Sequence, residues 1–146
     1  MKAGLDHIHV SPLARIAVEG GDVMHAMKSN DIGYRGFGEA YFSWIGQGAV
    51  KAWKKHLRMT LNLVVPVGSV RFVFFCSSSI PDYREEVIGS SRYARITVPP
   101  GIWFAFQGLA APNSLVLNLA DIPHDPQESL RKELVEIFFD WSSGIS

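Results

Sequence analysis

Met59-Thr60-Leu61-Asn62-Leu63-Val64-Val65-Pro66-Val67, then Gly68-Ser69, then Val70-Arg71-Phe72-Val73-Phe74-Phe75, is the stretch that decides the fold. Two apolar runs rich in β-branched and aromatic residues flank a two-residue break. Branched side chains pack well on a pleated surface and lose rotamer freedom in a helix. Both runs are far too short to span a bilayer as helices. Gly68 supplies a positive φ, so the reading is two strands joined by a tight hairpin.

Working outward, the same texture recurs. Short β-prone segments at 23–28, 38–44, 49–56, 92–98, 102–107 and 114–119 are separated by Gly, Pro, Asn and Asp. That spacing is the signature of an all-β sandwich or barrel. One helix is predicted near the end. Asp125 caps it, Pro126 takes the first helical position, and Glu128 stands three residues after the cap. Leu130, Leu134, Ile137 and Phe138 then recur at helical spacing. A short Ser/Gly tail follows.

The 146 residues are the size of one domain, and 47% hydrophobic content is enough for a sizeable core. Fourteen basic side chains balance fourteen acidic ones, which argues against nucleic acid as the partner. The single cysteine, Cys76, excludes an intramolecular disulfide and a multi-cysteine zinc site. The start, Met1-Lys2-Ala3-Gly4-Leu5-Asp6, does not read as a signal peptide. The expectation is a soluble, cytoplasmic protein with no membrane partner.

Alternation places side chains on faces. Lys54 and His56 point one way, with Lys51, Trp53 and Lys55 opposite. Thr60 and Asn62 oppose Leu61, Leu63 and Val65. Glu39, Tyr41 and Ser43 oppose Ala40, Phe42 and Trp44. Three polar stripes therefore exist. Facing inward, they would make a polar pocket with apolar walls. Facing solvent, they would be ordinary sheet surface, and alternation alone favours that.

The ordered set Phe37-Gly38-Glu39-Ala40-Tyr41-Phe42-Ser43, Val50-Lys51-Ala52-Trp53-Lys54-Lys55-His56, Met59-Thr60-Leu61-Asn62, Val98-Pro99-Pro100-Gly101-Ile102-Trp103 and Pro123-His124-Asp125-Pro126 resembles the RmlC-like cupins. These are the dTDP-4-dehydrorhamnose 3,5-epimerases and their sugar 3,4-ketoisomerase relatives. The likeness spans about residues 20–142 of one domain, 1–146. It implies a double-stranded β-helix, or jelly-roll barrel, with the short C-terminal helix added. It further implies a homodimer, a nucleotide-sugar ligand inside the barrel, and no cofactor. The implied activity is metal-free epimerisation or isomerisation of a nucleotide-linked 4-keto-6-deoxy sugar, in the making of surface-polysaccharide sugars.

By the same resemblance, a histidine takes the proton beside the sugar ketone, work suited to a group titrating near neutrality. The family pattern basic-x-x-His-x-His reads here Lys51-Ala52-Trp53-Lys54-Lys55-His56. His56 keeps the second histidine, and Lys54 replaces the first. Lys54 can then act as a proton carrier if burial or a neighbouring cation lowers its pKa, or as a cation on a ketone or phosphate. The family's acid tyrosine falls near Leu117, which leaves Tyr41 as the candidate acid. Phe104 stands where a second-motif histidine would be, so no metal is expected. Glu39, Phe37, Lys51, Arg58, Thr60, Asn62 and Trp103 are the candidate ligand-binding residues. Lys51 fits only if a bulge turns it onto the His56 face. The decisive expectation is that His56 and Asn62 share one enclosed cavity. The losses at Lys54, Leu117 and Phe104 leave a second reading, a non-catalytic cupin that binds a sugar nucleotide or related metabolite.

Overall fold

The computed structural model describes residues 4–77 and 80–143; the first three residues of the chain start and the end of the Ser/Gly tail lie outside them. In chain order the strands are β1 (His9–Pro12), β2 (Arg15–Ile16), β3 (Val23–Met24), β4 (Glu39–Gly46), β5 (Val50–His56) and β6 (Leu61–Val67). They continue as β7 (Ser69–Cys76), β8 (Asp82–Gly89), β9 (Ala94–Val98), β10 (Trp103–Gly108), β11 (Asn113–Ala120) and β12 (Ser129–Arg131). Two five-stranded antiparallel sheets form, ordered β1-β9-β6-β11-β4 and β12-β5-β10-β7-β8, with β2 and β3 as a separate ribbon. This is the jelly-roll architecture expected from the sequence.

The two sheets enclose the main core. Leu61, Leu63 and Val65 of β6 and Ile96 and Val98 of β9 meet Phe72 and Phe74 of β7 and Ile88 of β8. A second cluster lies on the outer face of the β5-β10-β7 sheet. Trp53, Val73, Trp103, Ala105 and Ile137 form it, covered by Phe139 and Trp141. Arg71 ties that cover down, donating to Gln107 Oε1 (2.7 Å), to the Trp141 carbonyl (2.7 Å) and to the Ser143 carbonyl.

Three expectations need correction. The 59–75 stretch is not a hairpin, because β6 pairs with β9 and β11 while β7 pairs with β8 and β10. Gly68, at φ 87°, instead carries the chain from one sheet to the other. A side chain there would collide with the Ser114 hydroxyl, which accepts a hydrogen bond from the Ser69 N–H. Pro66, without an N–H, falls where the β6–β11 register slips by one residue, which is how a central strand accommodates it.

Secondly, the C-terminal helix does not form. Asp125 does accept from the Gln127 N–H, with Pro126 next, but the product is a single 3₁₀ turn, Pro126–Glu128. Ser129–Arg131 then add to the open edge of β5 as β12, where a backbone ladder satisfies both strands. The supposed apolar face is not buried as a face: Ile137 is, but Phe138 is 80% exposed. A second 3₁₀ turn, Leu134–Glu136, follows. Thirdly, the 23–28 strand shrinks to β3, while β1, β8 and β12 occupy segments read as irregular or helical.

Candidate active site

A cavity of about 290 Å³ opens between the sheets. Its floor is apolar, from Leu61 and Leu63 of β6, Phe104 and Phe106 of β10 and Val116 of β11. Polar groups converge on it from three strands: Tyr41 and Ser43 of β4, Lys51, Lys54 and His56 of β5, and Asn118 of β11. Arg131 of β12 completes the wall. A few placed polar groups on apolar walls is the usual composition of a small-molecule site.

His56 is 5% exposed. Its Nδ1 donates a short hydrogen bond to Glu128 Oε1. The other carboxylate oxygen accepts from the backbone N–H groups of Arg58 and Met59, each at 3.2 Å. Phe104 stacks on the imidazole, centroids 6.1 Å apart. Burial, helped by the charges of Lys54 and His124, pushes the His56 pKa down against the opposing hydrogen bond and charge of Glu128. Burial alone would raise the Glu128 pKa, but the bonds from His56, Arg58 and Met59 together hold it below the ordinary value. The pair at neutral pH is thus a carboxylate and a neutral imidazole with its proton on Nδ1, leaving Nε2 a free lone pair.

The β5 register against β10 slips between Phe104 and Phe106, pairing Phe104 with Lys54 but Phe106 with Lys51. The one extra residue lies in β5, at Ala52-Trp53. This bulge turns Lys51 onto the face of Lys54 and His56 while Trp53 points into the outer cluster. Lys51 Nζ donates to Ser43 Oγ and to the Trp44 carbonyl, both at 2.8 Å. Lys54 has its pKa lowered first by burial and next by the charge of Arg131, against opposing pulls from Glu128 and Glu39. Asn118 Nδ2 donates to the Tyr41 hydroxyl at 3.1 Å, so that hydroxyl keeps its own hydrogen for a ligand.

The structure therefore gathers His56, Lys54, Tyr41 and Lys51 and leaves the other candidates outside the cavity. Asn62 is the main correction. Alternation on β6 holds, but Leu61 and Leu63 are the inward residues, and Asn62 faces away. Its Nδ2 donates to the Gly33 carbonyl (3.0 Å), while its Oδ1 accepts from Arg95 Nε (3.1 Å) and the Thr97 hydroxyl (2.6 Å). The buried Arg95 goes on to the carbonyls of Ala26 and Ile32, so this network fastens the 26–33 loop. Thr60 shares that outward side, in a surface depression with His7 and His9, and its N–H donates to Asp121. Trp103 lies on the outer face of its sheet, under the ammonium groups of Lys55 (5.2 Å) and Lys132 (5.4 Å). Arg58 pairs with Asp125 at 2.9 Å in solvent. Phe37 is 65% exposed just before β4, and Glu39 reaches the site only through its charge on Lys54. Among the described residues no three metal-ligating side chains converge.

Glu128, Arg131, Phe106 and Asn118 were not among the sequence candidates. For Glu128 a signal existed, since a carboxylate three residues past Asp125 is conspicuous, but the capping reading absorbed it.

Comparison with solved structures decides the family. The dTDP sugar isomerase from Desulfovibrio desulfuricans G20 is 32% identical, with TM-score 0.88 over 95% of this chain and 93% of that one. The chain belongs to the RmlC-like family of dTDP-sugar isomerases and epimerases. More distant members share the fold. QdtA, a sugar 3,4-ketoisomerase from Thermoanaerobacterium thermosaccharolyticum solved in complex with TDP, is 15% identical, with TM-score 0.75 over 88% of this chain and 90% of that one. NovW, a 4-keto-6-deoxy sugar epimerase from Streptomyces spheroides, is 14% identical, with TM-score 0.81 over 97% and 78% respectively. No protein-family model and no curated protein matches the chain. Among the described residues no helix is long and apolar enough to cross a membrane.

Proposed function

We propose that the protein isomerises or epimerises a nucleotide-linked 4-keto-6-deoxy sugar by proton transfer inside this cavity. The observation that carries the reading is the His56–Glu128 pair, a neutral imidazole oriented by a buried carboxylate at a ligand-sized pocket. Family membership supports the substrate class, since the relative at 32% identity is a dTDP sugar isomerase.

The ketone of such a sugar already acidifies the neighbouring C–H. His56 Nε2 takes that proton, and Glu128 stabilises the imidazolium that results. The electron pair moves onto the ketone oxygen, where the Lys54 ammonium offsets the developing charge. Return of a proton to carbon, from His56 or from the Tyr41 hydroxyl, completes the exchange of hydrogen positions. A homodimeric state, a cytoplasmic location and a role in supplying surface-polysaccharide sugars belong to the same reading.

The test is deuterium incorporation from D₂O into a dTDP-4-keto-6-deoxyhexose. The native protein incorporates deuterium at carbon beside the ketone, and His56→Ala slows this by roughly 10²–10⁴-fold. Tight binding by the native protein with no incorporation would instead identify a sugar-nucleotide binder.

A further inference from the structure

Trp103 is a ligand-facing candidate by sequence, yet its ring stands outside the barrel. What surrounds it there is a second concavity. A cleft of about 500 Å³ opens on the outer face of the sheet that carries β5, β10, β7 and β8. It shares no lining residue with the barrel cavity, and the sheet itself separates the two. Alternation on β5 shows the division. Lys54 and His56 line the inner cavity, and Lys55 between them lines the outer cleft.

The apolar wall of this cleft is preformed. Phe75 of β7 and Tyr83 of β8 pack with ring centroids 4.9 Å apart. The Tyr83 hydroxyl donates to the Phe138 carbonyl at 2.5 Å, which keeps the Phe138 ring at the rim, 80% exposed. The charge is one-sided. Lys55 and Lys132 both border the cleft, their ammonium groups 5.2 and 5.4 Å from the Trp103 ring centroid. The indole steadies both cations through its π face but offers no acceptor atom. Among the described residues neither ammonium has a hydrogen-bond or ion-pair partner. The carboxylate that lines the cleft, Glu136, is turned instead to the Glu133 backbone N–H.

We propose that the outer cleft binds a small aromatic phosphate, a phosphate monoester carried on a flat ring. Two ammonium groups on flexible stems act as point charges and suit a phosphate monoester, which carries about −1.5 to −2 at neutral pH. The rings of Phe75, Tyr83 and Phe138 cover the flat body of the ligand, and the apolar area that Phe138 exposes is withdrawn from water. The volume is that of an ordinary small-molecule site. The cleft works apart from the barrel cavity, and its assignment does not depend on what the cavity turns over.

Titration calorimetry of the full-length protein with 1-naphthyl phosphate, 1-naphthol and inorganic phosphate tests it. The native protein should bind the ester more tightly than either of its parts. Lys132→Gln should weaken the ester about tenfold. Phe138→Ser should weaken it several-fold, and both changes are at exposed positions that leave the core untouched. Lys54→Gln, on the opposite face of β5, should leave the affinity as it is. Equal affinity in native protein and Lys132→Gln overturns the proposal. A loss in Lys54→Gln that matches the loss in Lys132→Gln does so too, because it puts the probe in the barrel. Inorganic phosphate that binds as tightly as the ester removes the aromatic wall from the site and overturns it as well. So does a native protein that does not bind the ester.

Discussion

At the scale of single residues, the site turns on which nitrogen of His56 carries the proton. Glu128 fixes it on Nδ1 and is itself fixed by two backbone amides. Glu128→Gln keeps the shape but presents an N–H donor or a neutral acceptor in place of the carboxylate. The expected result is a fall in kcat of roughly 10²–10⁴-fold, as for loss of an orienting carboxylate elsewhere. The pH profile gives a sharper check. Because Glu128 raises the His56 pKa, its removal moves the acid limb of kcat/KM to lower pH. An acid limb that moves to higher pH contradicts the assigned role. His56 and Lys54 were legible from a motif, because motif position is a property of sequence. Lys51 needed the bulge, which alternation counting does not reveal. Asn62 misled because alternation says only that two sets of residues face opposite ways. Which set faces inward was settled by Arg95 and Thr97, whose polar groups need Asn62 on the outside.

At the scale of elements, the strands were readable wherever a run was apolar and branched, as at β6, β7, β9 and β10. β8 was not. Its Asp82-Tyr83-Arg84-Glu85-Glu86 is charged because it is an edge strand, where charge discourages pairing with other chains. The segment after Asp125 carried true local signals for a helix start, and they produced one turn. What they could not convey was the open β5 edge, which a strand fills and a helix does not. The tail beyond it depends on Arg71, buried at 3% exposure, which also stacks over Phe139 and Trp141. Arg71→Lys loses the planar fork that reaches Gln107, Trp141 and Ser143 together. The expected cost is about 1–3 kcal/mol. Hydrogen exchange should accelerate in residues 137–143 and not in β6 or β9. Uniform acceleration across both sheets would show that Arg71 supports the whole barrel rather than the tail.

At the scale of the molecule, the architecture came through a resemblance resting on an ordered set of short motifs, while composition alone reached only a β class. The acid stability of the whole follows from groups described above. His56 has a depressed folded pKa, so the unfolded chain takes up that proton first. The contribution of His56 is therefore level above about pH 6.5, the ordinary imidazole value, and is lost as pH falls through the lower folded value. Glu128 and Glu86 are also held low in the fold, Glu86 by Arg92 and Arg84 against the opposing effect of burial. Their contribution is lost in a second decline beginning below about pH 4.5. Urea midpoints measured across this range should show both steps, and His56→Ala should lack the first. A single step starting only below pH 5 would mean the imidazole is not desolvated as described.

The pairing of β12 with β5 also has a meaning for manufacture. The ribosome lays down the imidazole 72 residues before the carboxylate that orients it. A nascent chain can have made every strand of the first sheet while its His56–Glu128 pair is still half absent. On the proposed mechanism the orienting carboxylate arrives only just ahead of the final edge strand, so a product truncated before residue 128 should lose at least as much activity as Glu128→Gln, however well the remainder folds.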